Sequence, residues 1–191
     1  IQDMELAADA DGKLTAVRVK LLADMGAYLQ LVTPGIPLLG AFLYGGVYHL
    51  PEAYSFSCRS VFTSMTPTDA YRGAGRPDVA YAVERIVSQA AVEMGIDAAE
   101  LRRRNFIPNE AYPYKTPLGS VYENADLPGL LEQALKLADW KGFEARRKQS
   151  AENGKLRGRG IAVVMEPTGA GNAPSDDIDL ELDASGNLTV F

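Results

Sequence analysis

Asp69-Ala70-Tyr71-Arg72-Gly73-Ala74-Gly75-Arg76-Pro77 stands between an alternating apolar run, Tyr54 to Met65, and the longest helical pattern in the chain, Pro77 to Met94. Gly73 and Gly75 flank one small residue, so the backbone can turn tightly there and a ligand can approach it closely. Pro77 suits the first turn of a helix, where its missing N–H leaves nothing unpaired. The stretch is therefore predicted to be a loop over Arg72 to Arg76, with Gly73 or Gly75 at positive φ. It would deliver backbone donors and two arginines to a helix N-terminus, a place where anions and electron-rich groups are stabilised. It is not a dinucleotide fingerprint, because no third glycine follows at the required spacing, and no Gly-Lys-Ser/Thr follows to make a Walker loop.

Toward the C-terminus, Val79, Val83, Ile86, Val87, Ala90 and Met94 form one apolar stripe at helical spacing. Gly95 supplies a left-handed helix end. Asp97 caps a second helix, with Glu100 completing a capping box and Ile96 and Leu101 a hydrophobic staple. Arg102, Arg103 and Arg104 favour that helix's C-terminal dipole. They are either a solvated helix end or anchors for the Arg72 loop or a bound pyrophosphate. Tyr112 to Tyr122 is aromatic and turn-rich. Asp126 caps a helix over Leu127 to Ala138 with the stripe Leu130, Leu131, Ala134, Leu135 and Ala138, and a more polar helix, Phe143 to Glu152, ends at Asn153-Gly154. Gly160 to Glu166 is a continuous apolar run of the buried-strand kind, and Gly169-Ala170-Gly171-Asn172 is a small-residue loop. Ile178 to Leu182, Ser185-Gly186-Asn187 and Leu188 to Phe191 read as a hairpin.

Toward the N-terminus, Tyr54 to Met65 predicts a strand with Phe56, Cys58, Ser60 and Phe62 on one face. Asp24 to His49 is rich in Gly, Pro and aromatics; Pro34 and Pro37 end or kink any long helix there, and Ala41 to Tyr44 suits a short one. This region reads equally as a loop over a cofactor pocket or as a packed irregular connection. Met4 to Ala8 and Leu14 to Leu22 flank Asp11-Gly12, a hairpin signal, and the broken alternation of the second strand suggests a bulge. Strands, then helices, then strands make an α+β, or mixed α/β, fold with hairpins flanking a central group of helices. The chain divides into a strand-rich 1–65, a helical 66–153 and a strand-rich 154–191. It begins and ends in strand-like segments, which predicts a piece of a larger polypeptide.

Ala70-Tyr71-Arg72-Gly73-Ala74-Gly75-Arg76-Pro77, the Glu84-Arg85 helix, and Glu100-Leu101-Arg102-Arg103-Arg104-Asn105-Phe106-Ile107-Pro108 together resemble the molybdenum hydroxylases. The likeness is to the large, molybdopterin-binding subunit of the carbon monoxide dehydrogenase-like branch of the xanthine dehydrogenase family, and it extends through Asp24 to Tyr28 and Pro113 to Gly119. It implies a molybdopterin cytosine dinucleotide-type cofactor, iron–sulfur and FAD subunits as partners, and a small-molecule substrate hydroxylated with water as oxygen source. By position, Arg72 matches the arginine that braces the active-site loop beside molybdenum, and Tyr71, Gly73, Ala74 and Gly75 match cofactor-binding positions. Gly73 falls where copper-using carbon monoxide dehydrogenases carry the copper-holding cysteine, which puts copper in doubt. Ala74 and Gly75 match positions that include a pocket-lining phenylalanine in relatives, which implies a roomier pocket. Around Gly40 to Phe42 no arginine stands where xanthine-oxidising relatives have one, so a purine is disfavoured. The family's catalytic glutamate falls beyond Phe191, so this piece alone is expected to be inactive.

The 191 residues are 47% hydrophobic and 23% charged, ordinary for a globular chain, and the net charge of −6 argues against nucleic-acid binding. The most apolar region, Leu29 to Val47, is broken by two prolines and four glycines and does not reach membrane-spanning length. One cysteine, Cys58, excludes an internal disulfide and is expected to be buried and inert; one histidine, His49, excludes a histidine-based metal site or triad. Asp176-Asp177 are adjacent, so in a strand they would point to opposite faces. No signal peptide is evident, so the expected compartment is cytoplasmic.

Overall fold

The computed structural model describes residues 1–50, 53–166 and 178–190. Strands β1 (Gln2–Ala8) and β2 (Leu14–Asp24) form the expected hairpin. Ala7 pairs with Ala16 but Ala8 with Leu14, so Thr15 is an extra residue in β2. This bulge moves the buried set from Leu14 to Val17 and Val19 and accounts for the broken alternation. β3 (Ala53–Val61) lies parallel to β2, giving a sheet ordered β1-β2-β3. Parallel pairing needs a crossover, and the long connection before β3 supplies it.

That connection holds helix α1 (Gly35–Gly40), earlier than the expected Ala41 to Tyr44, which is a run of turns. Pro37 does not break α1 because it sits in the first turn, where an N–H has no intrahelical partner. β3 stops at Val61, short of Met65, and Phe62 is exposed rather than sharing the Phe56 face. Cys58 is half-buried, not fully buried as expected.

Helix α2 (Arg76–Met94) carries the core stripe: Val79, Val83, Val87 and Ala91 pack with Leu14, Val17 and Val19 of β2 and with Tyr44, Val47 and Tyr48. Gly95 ends it at φ 67°. Asp97 caps helix α3 (Ala98–Asn105) by accepting from Ala99 N and Glu100 N. The capping box is only half made, since the Glu100 carboxylate turns to Arg103 and Arg104 instead. A short hairpin, β4 (Tyr114–Lys115) and β5 (Val121–Tyr122), leads to helix α4 (Leu127–Leu137), capped by Asp126 through Gly129 N, and helix α5 (Phe143–Glu152). Leu127, Leu131 and Leu135 form the inward face of α4; Leu130, Ala134 and Ala138 of the expected stripe are exposed.

Residues 160–166 alternate between exposed and half-buried, the period of an extended chain, with Ile161, Val163 and Met165 against the core, but they have no ladder partner among the described residues, against the expected buried strand. The hairpin β6 (Leu180–Leu182) and β7 (Leu188–Val190) forms as expected up to Val190. The Gly169–Asn172 loop, Asp176-Asp177 and Phe191 lie outside the described residues. The fold is α+β, with a three-stranded sheet against α2 and smaller hairpins beyond it. No described helix is long and apolar enough to cross a membrane.

Val87 is 1% exposed in the middle of the stripe. Val87→Asp should lower stability by about 4 kcal/mol, the order for an unpaired buried charge. Thermal melting checks this, and an unchanged midpoint would contradict the packing described.

Candidate functional site

The loop ahead of α2 is held from behind by three straps. First, Gly26, at φ 73°, lies so close to Pro67 that a Cβ would meet its Cα at 2.4 Å. Ala27 N donates to Met65 O and Thr63 N to Gly26 O around the same crossing. Asp24 fixes its ends, with one carboxylate oxygen accepting from Thr63 Oγ1 at 2.7 Å and from Gly26 N at 2.8 Å. The Thr63 hydroxyl, then the Gly26 N–H, hold the Asp24 carboxyl below its ordinary range. Second, buried Thr33 donates its hydroxyl to Thr68 O, and Val32 N donates to Asp69 Oδ1 at 3.3 Å. Third, Gly75 packs against α1, where a Cβ would stand 3.0 Å from Ile36 O. Segments 24–33, 35–40 and 63–75 thus form one end of the molecule.

On that frame Tyr71 to Gly75 make a tight turn, with Ala74 N donating to Tyr71 O and Arg76 N to Gly73 O. Both glycines have positive φ, 89° at Gly73 and 85° at Gly75. Gly75 is the α2 N-cap, as the loop-then-helix reading predicts. Tyr71 is 87% exposed and Arg72 exposed, Gly73 and Ala74 half-buried, and Gly75 buried. Nothing lies within 4 Å of a Cβ built on Gly73. Among the described residues the N–H groups of Arg72, Gly73 and Gly75 have no acceptor. Amides and a guanidinium that have no partner among the described residues, together with the helix dipole, suit an anionic or oxygen-rich group. The segments strapped to the loop carry exposed apolar side chains, among them Tyr28, Leu29, Leu31, Leu38, Leu39 and Met65. An apolar surface of this kind marks a binding or packing face.

Gly40, singled out beside the missing arginine, is buried with its Cβ direction filled by Val79 at 3.1 Å, so it faces α2 packing; Phe42 is the exposed residue of that group. His49 stacks edge-on against Tyr114 and its N–H donates to Asn105 O, a packing role. No group of three His, Cys, Asp or Glu side chains suited to a metal ion occurs among the described residues.

The three arginines divide: Arg103 and Arg104 are exposed, as a solvated helix end predicts, Arg102 is not, and none is bonded to the Arg72 loop among the described residues. The Arg102 side chain is 0% exposed. Its Nε donates to Glu84 Oε2 at 2.9 Å, and its other donors reach Ala98 O, Glu84 O and Ser88 Oγ. Glu84 also accepts from Tyr48 Oη at 2.5 Å and from Val163 N at 2.9 Å. Burial, then the neighbouring Glu84 charge, push the Tyr48 phenol far above its ordinary value, which keeps it a donor. Arg103 pairs with Glu132 of α4, and Arg104 donates to Asp11 O at the first hairpin turn. Asn105 accepts from Leu14 N and donates to Gly12 O and Leu101 O. The Glu100–Pro108 stretch is a structural junction of α3 with α2, α4 and the first hairpin. Sequence reasoning missed Glu84, although a carboxylate flanked by Val83 and inside the apolar stripe was a usable signal. The Thr33 and Asp69 straps had no local signal at all.

Residues 1–106 match the family model described as "Molybdopterin cofactor-binding domain". The chain is 35% identical to the carbon monoxide dehydrogenase large chain of Hydrogenophaga pseudoflava over 182 residues, covering 92% of this chain and 22% of that protein. It is 28% identical to the nicotine 6-hydroxylase large subunit of Paenarthrobacter nicotinovorans, covering 98% of this chain and 24% of that protein. The crystal structure of quinoline 2-oxidoreductase from Pseudomonas putida 86 superposes with a TM-score of 0.84 at 29% identity, covering 99% of this chain and 25% of that one. The chain spans about a quarter of the length of these relatives.

Gly26, Gly75 and Gly73 share positive φ but differ in what a Cβ would meet. Replacement by Ala adds about 1–2 kcal/mol of left-handed strain at each. Gly26→Ala should therefore lose the most melting temperature, Gly75→Ala less, and Gly73→Ala the least; equal losses would contradict the strap geometry. Because the folded Asp24 carboxyl titrates below its unfolded value, its contribution is full above about pH 4 and is lost as pH falls further. Melts of the parent chain and Asp24→Asn between pH 6 and pH 3 should converge at the acid end.

Proposed function

Since the chain belongs to the molybdopterin cofactor-binding domain family, we propose that it is one piece of the catalytic large subunit of a copper-free molybdenum hydroxylase. Its substrate class is a small aldehyde or N-heterocycle, hydroxylated with water as the oxygen source. The observation that carries this reading is Gly73: it stands directly after exposed Arg72 at the head of α2, with open space where a side chain would be. Copper(I) is soft and wants a thiolate. No thiolate can stand at Gly73, and Cys58, the single cysteine, sits in β3, well before the loop.

In this reading Tyr71, Arg72, Gly73, Ala74 and Gly75 are the cofactor-binding residues and Arg72 is the one beside the reacting centre. A molybdenum cofactor, when bound, supplies the two-electron oxidation of the substrate carbon. The chain's own part is narrower. The amides of Arg72, Gly73 and Gly75, which have no acceptor among the described residues, would donate hydrogen bonds to the cofactor's oxygen-rich groups. The Arg72 guanidinium braces the loop and adds a fixed positive charge. The small residues Ala74 and Gly75 leave the substrate side roomy, and the exposed aromatic and aliphatic side chains of the strapped segments suit an uncharged ring. The absence of an arginine between Gly40 and Phe42 argues against purines. The likeness to large chains described as a nicotine hydroxylase and a quinoline oxidoreductase supports the N-heterocycle branch. The cofactor is proposed to be the cytosine dinucleotide form, and iron–sulfur and FAD subunits are proposed as the route by which electrons leave.

Elemental analysis of the full-length subunit, purified with its partners, tests the copper claim. Molybdenum near one per subunit without copper, together with turnover of an aldehyde or N-heterocycle, is expected. Stoichiometric copper with oxidation of carbon monoxide would overturn it. The isolated 191-residue chain is expected to hold no molybdenum and to oxidise neither aldehydes nor purines; stoichiometric molybdenum on it would contradict that expectation.

A further inference from the structure

We propose that Glu84 is a positioning residue: it fixes segment 161–166 against α2 so that the segment is aimed at the Tyr71–Gly75 loop. Its relevance to catalysis rests on the assignment of that loop to the cofactor.

Glu84 accepts more hydrogen bonds than its ion pair with Arg102 requires. Arg102 is satisfied by α2 and α3 alone, through Glu84 Oε2, Glu84 O, Ser88 Oγ and Ala98 O. Charge neutralisation between the two helices would need no more than this. Glu84 nevertheless takes two further donors from outside both helices, Tyr48 Oη and Val163 N. Among the described residues, Val163 N–H is the one backbone donor of segment 161–166 that finds an acceptor. An extended segment with no ladder partner has little else to hold its height on the helix.

A second fastening lies at the other end of the segment. Glu166 Oε1 stands 3.1 Å from Arg76 Nε, the first residue of α2 and the next after Gly75. The pair is at ion-pair distance, but the N–H is not aimed at the carboxylate, so it steers rather than locks. The spacing of the two fastenings agrees. Glu84 and Arg76 are eight residues apart on a helix, about 12 Å. Val163 and Glu166 are three residues apart in an extended chain, about 10 Å. The segment therefore runs antiparallel to α2, from the buried carboxylate toward the loop. A cavity of about 30 Å³, lined by Arg76, Glu84, Tyr122, Val163 and Met165, lies between the fastenings and has room for one water. Arg76 is thus shared between the loop and the segment, and Glu84 sets where along α2 they meet.

A purely structural role makes a different prediction, and paired variants of the full-length subunit with its partners separate the two. Glu84→Leu/Arg102→Leu removes both buried charges, a replacement that tends to be neutral for stability, but it leaves Val163 N–H without an acceptor. Glu84→Gln/Arg102→Leu is equally uncharged yet keeps a carbonyl oxygen for that N–H. Three readouts are taken: the melting midpoint, amide hydrogen exchange of peptides covering 161–166 and 71–76, and kcat against KM. The Leu pair should exchange at least tenfold faster over 161–166, and should lose on the order of tenfold to a hundredfold in kcat, the effect of a small misplacement. KM should change less. The Gln pair should restore both protection and kcat. Equal exchange and equal kcat in the two pairs would overturn the proposal. If neither pair folds, Val163→Pro decides, read beside Val163→Ala as the control for the lost side chain, because the proline removes the donor and leaves the ion pair whole. It should speed exchange over 161–166 and lower kcat at a nearly unchanged midpoint, and wild-type behaviour would overturn the proposal. A wild-type subunit without molybdenum would reject the cofactor reading, while the exchange comparison, which needs no cofactor, still decides the positioning role.

Discussion

The contact on which the rest of this structure depends is the ion pair between Glu84 and Arg102, closed to water on both sides. Taking two charges out of water is expensive, and their attraction repays it only when the remaining hydrogen-bonding capacity is also filled. Here it is filled. Tyr48, Ser88, Ala98 and Val163 supply the other partners. The pair is weak evidence for stability in itself, since apolar residues of like volume often do as well. Its distinct effect is to make one arrangement of α2, α3, the Tyr48 turn and segment 161–166 far better than any other, because a slip of any of them strands a buried charge.

α2 so placed lays the stripe from Val79 to Ala91 on the core and sets its N-terminus under the Gly-Arg turn. At that end the constraint changes from charge to space. Gly26 against Pro67 is a crossing that no side chain would fit, and Gly75 against Ile36 O is one that a Cβ would enter only if the neighbour gave way. The turn itself has amides with no acceptor among the described residues and an exposed guanidinium, and the segments strapped to it carry exposed apolar side chains. Among the described residues, nothing covers the exposed apolar side chains of these segments. That fits a chain about a quarter as long as its relatives.

Local signals in the sequence were read well. The α2 stripe, Gly95, the Asp97 and Asp126 caps and both Gly-containing hairpins each depend on residues within a few positions of one another, and all are present. Non-local outcomes were not legible. Whether Ile161 to Met165 finds a ladder partner depends on chain far away, so its apolar run misread as a buried strand. Leu130, Ala134 and Ala138 have helical spacing, but only a neighbour decides which stripe of α4 is covered. Pro37 looked like a breaker because position within the first turn cannot be seen from the proline alone. At the candidate site, the loop and its positive-φ glycines followed from local chemistry, and the resemblance suggested what it holds. The three arginines show the limit: a run of charges at a helix end reads as solvated, and only the carboxylate inside the α2 stripe hinted that one of them is core.

The most direct measurement is a crystal structure of the full-length subunit, purified with its cofactor and partners, at a resolution that fixes side chains. The account predicts the molybdenum centre against Arg72, Gly73 and Ala74, with no copper beside Gly73 and with Glu84 bound to Arg102 and Val163 N as described. A cofactor held away from the Tyr71–Gly75 turn, for example over the cleft of about 430 Å³ lined by Lys13, His49, Arg104 and Glu110, would contradict it.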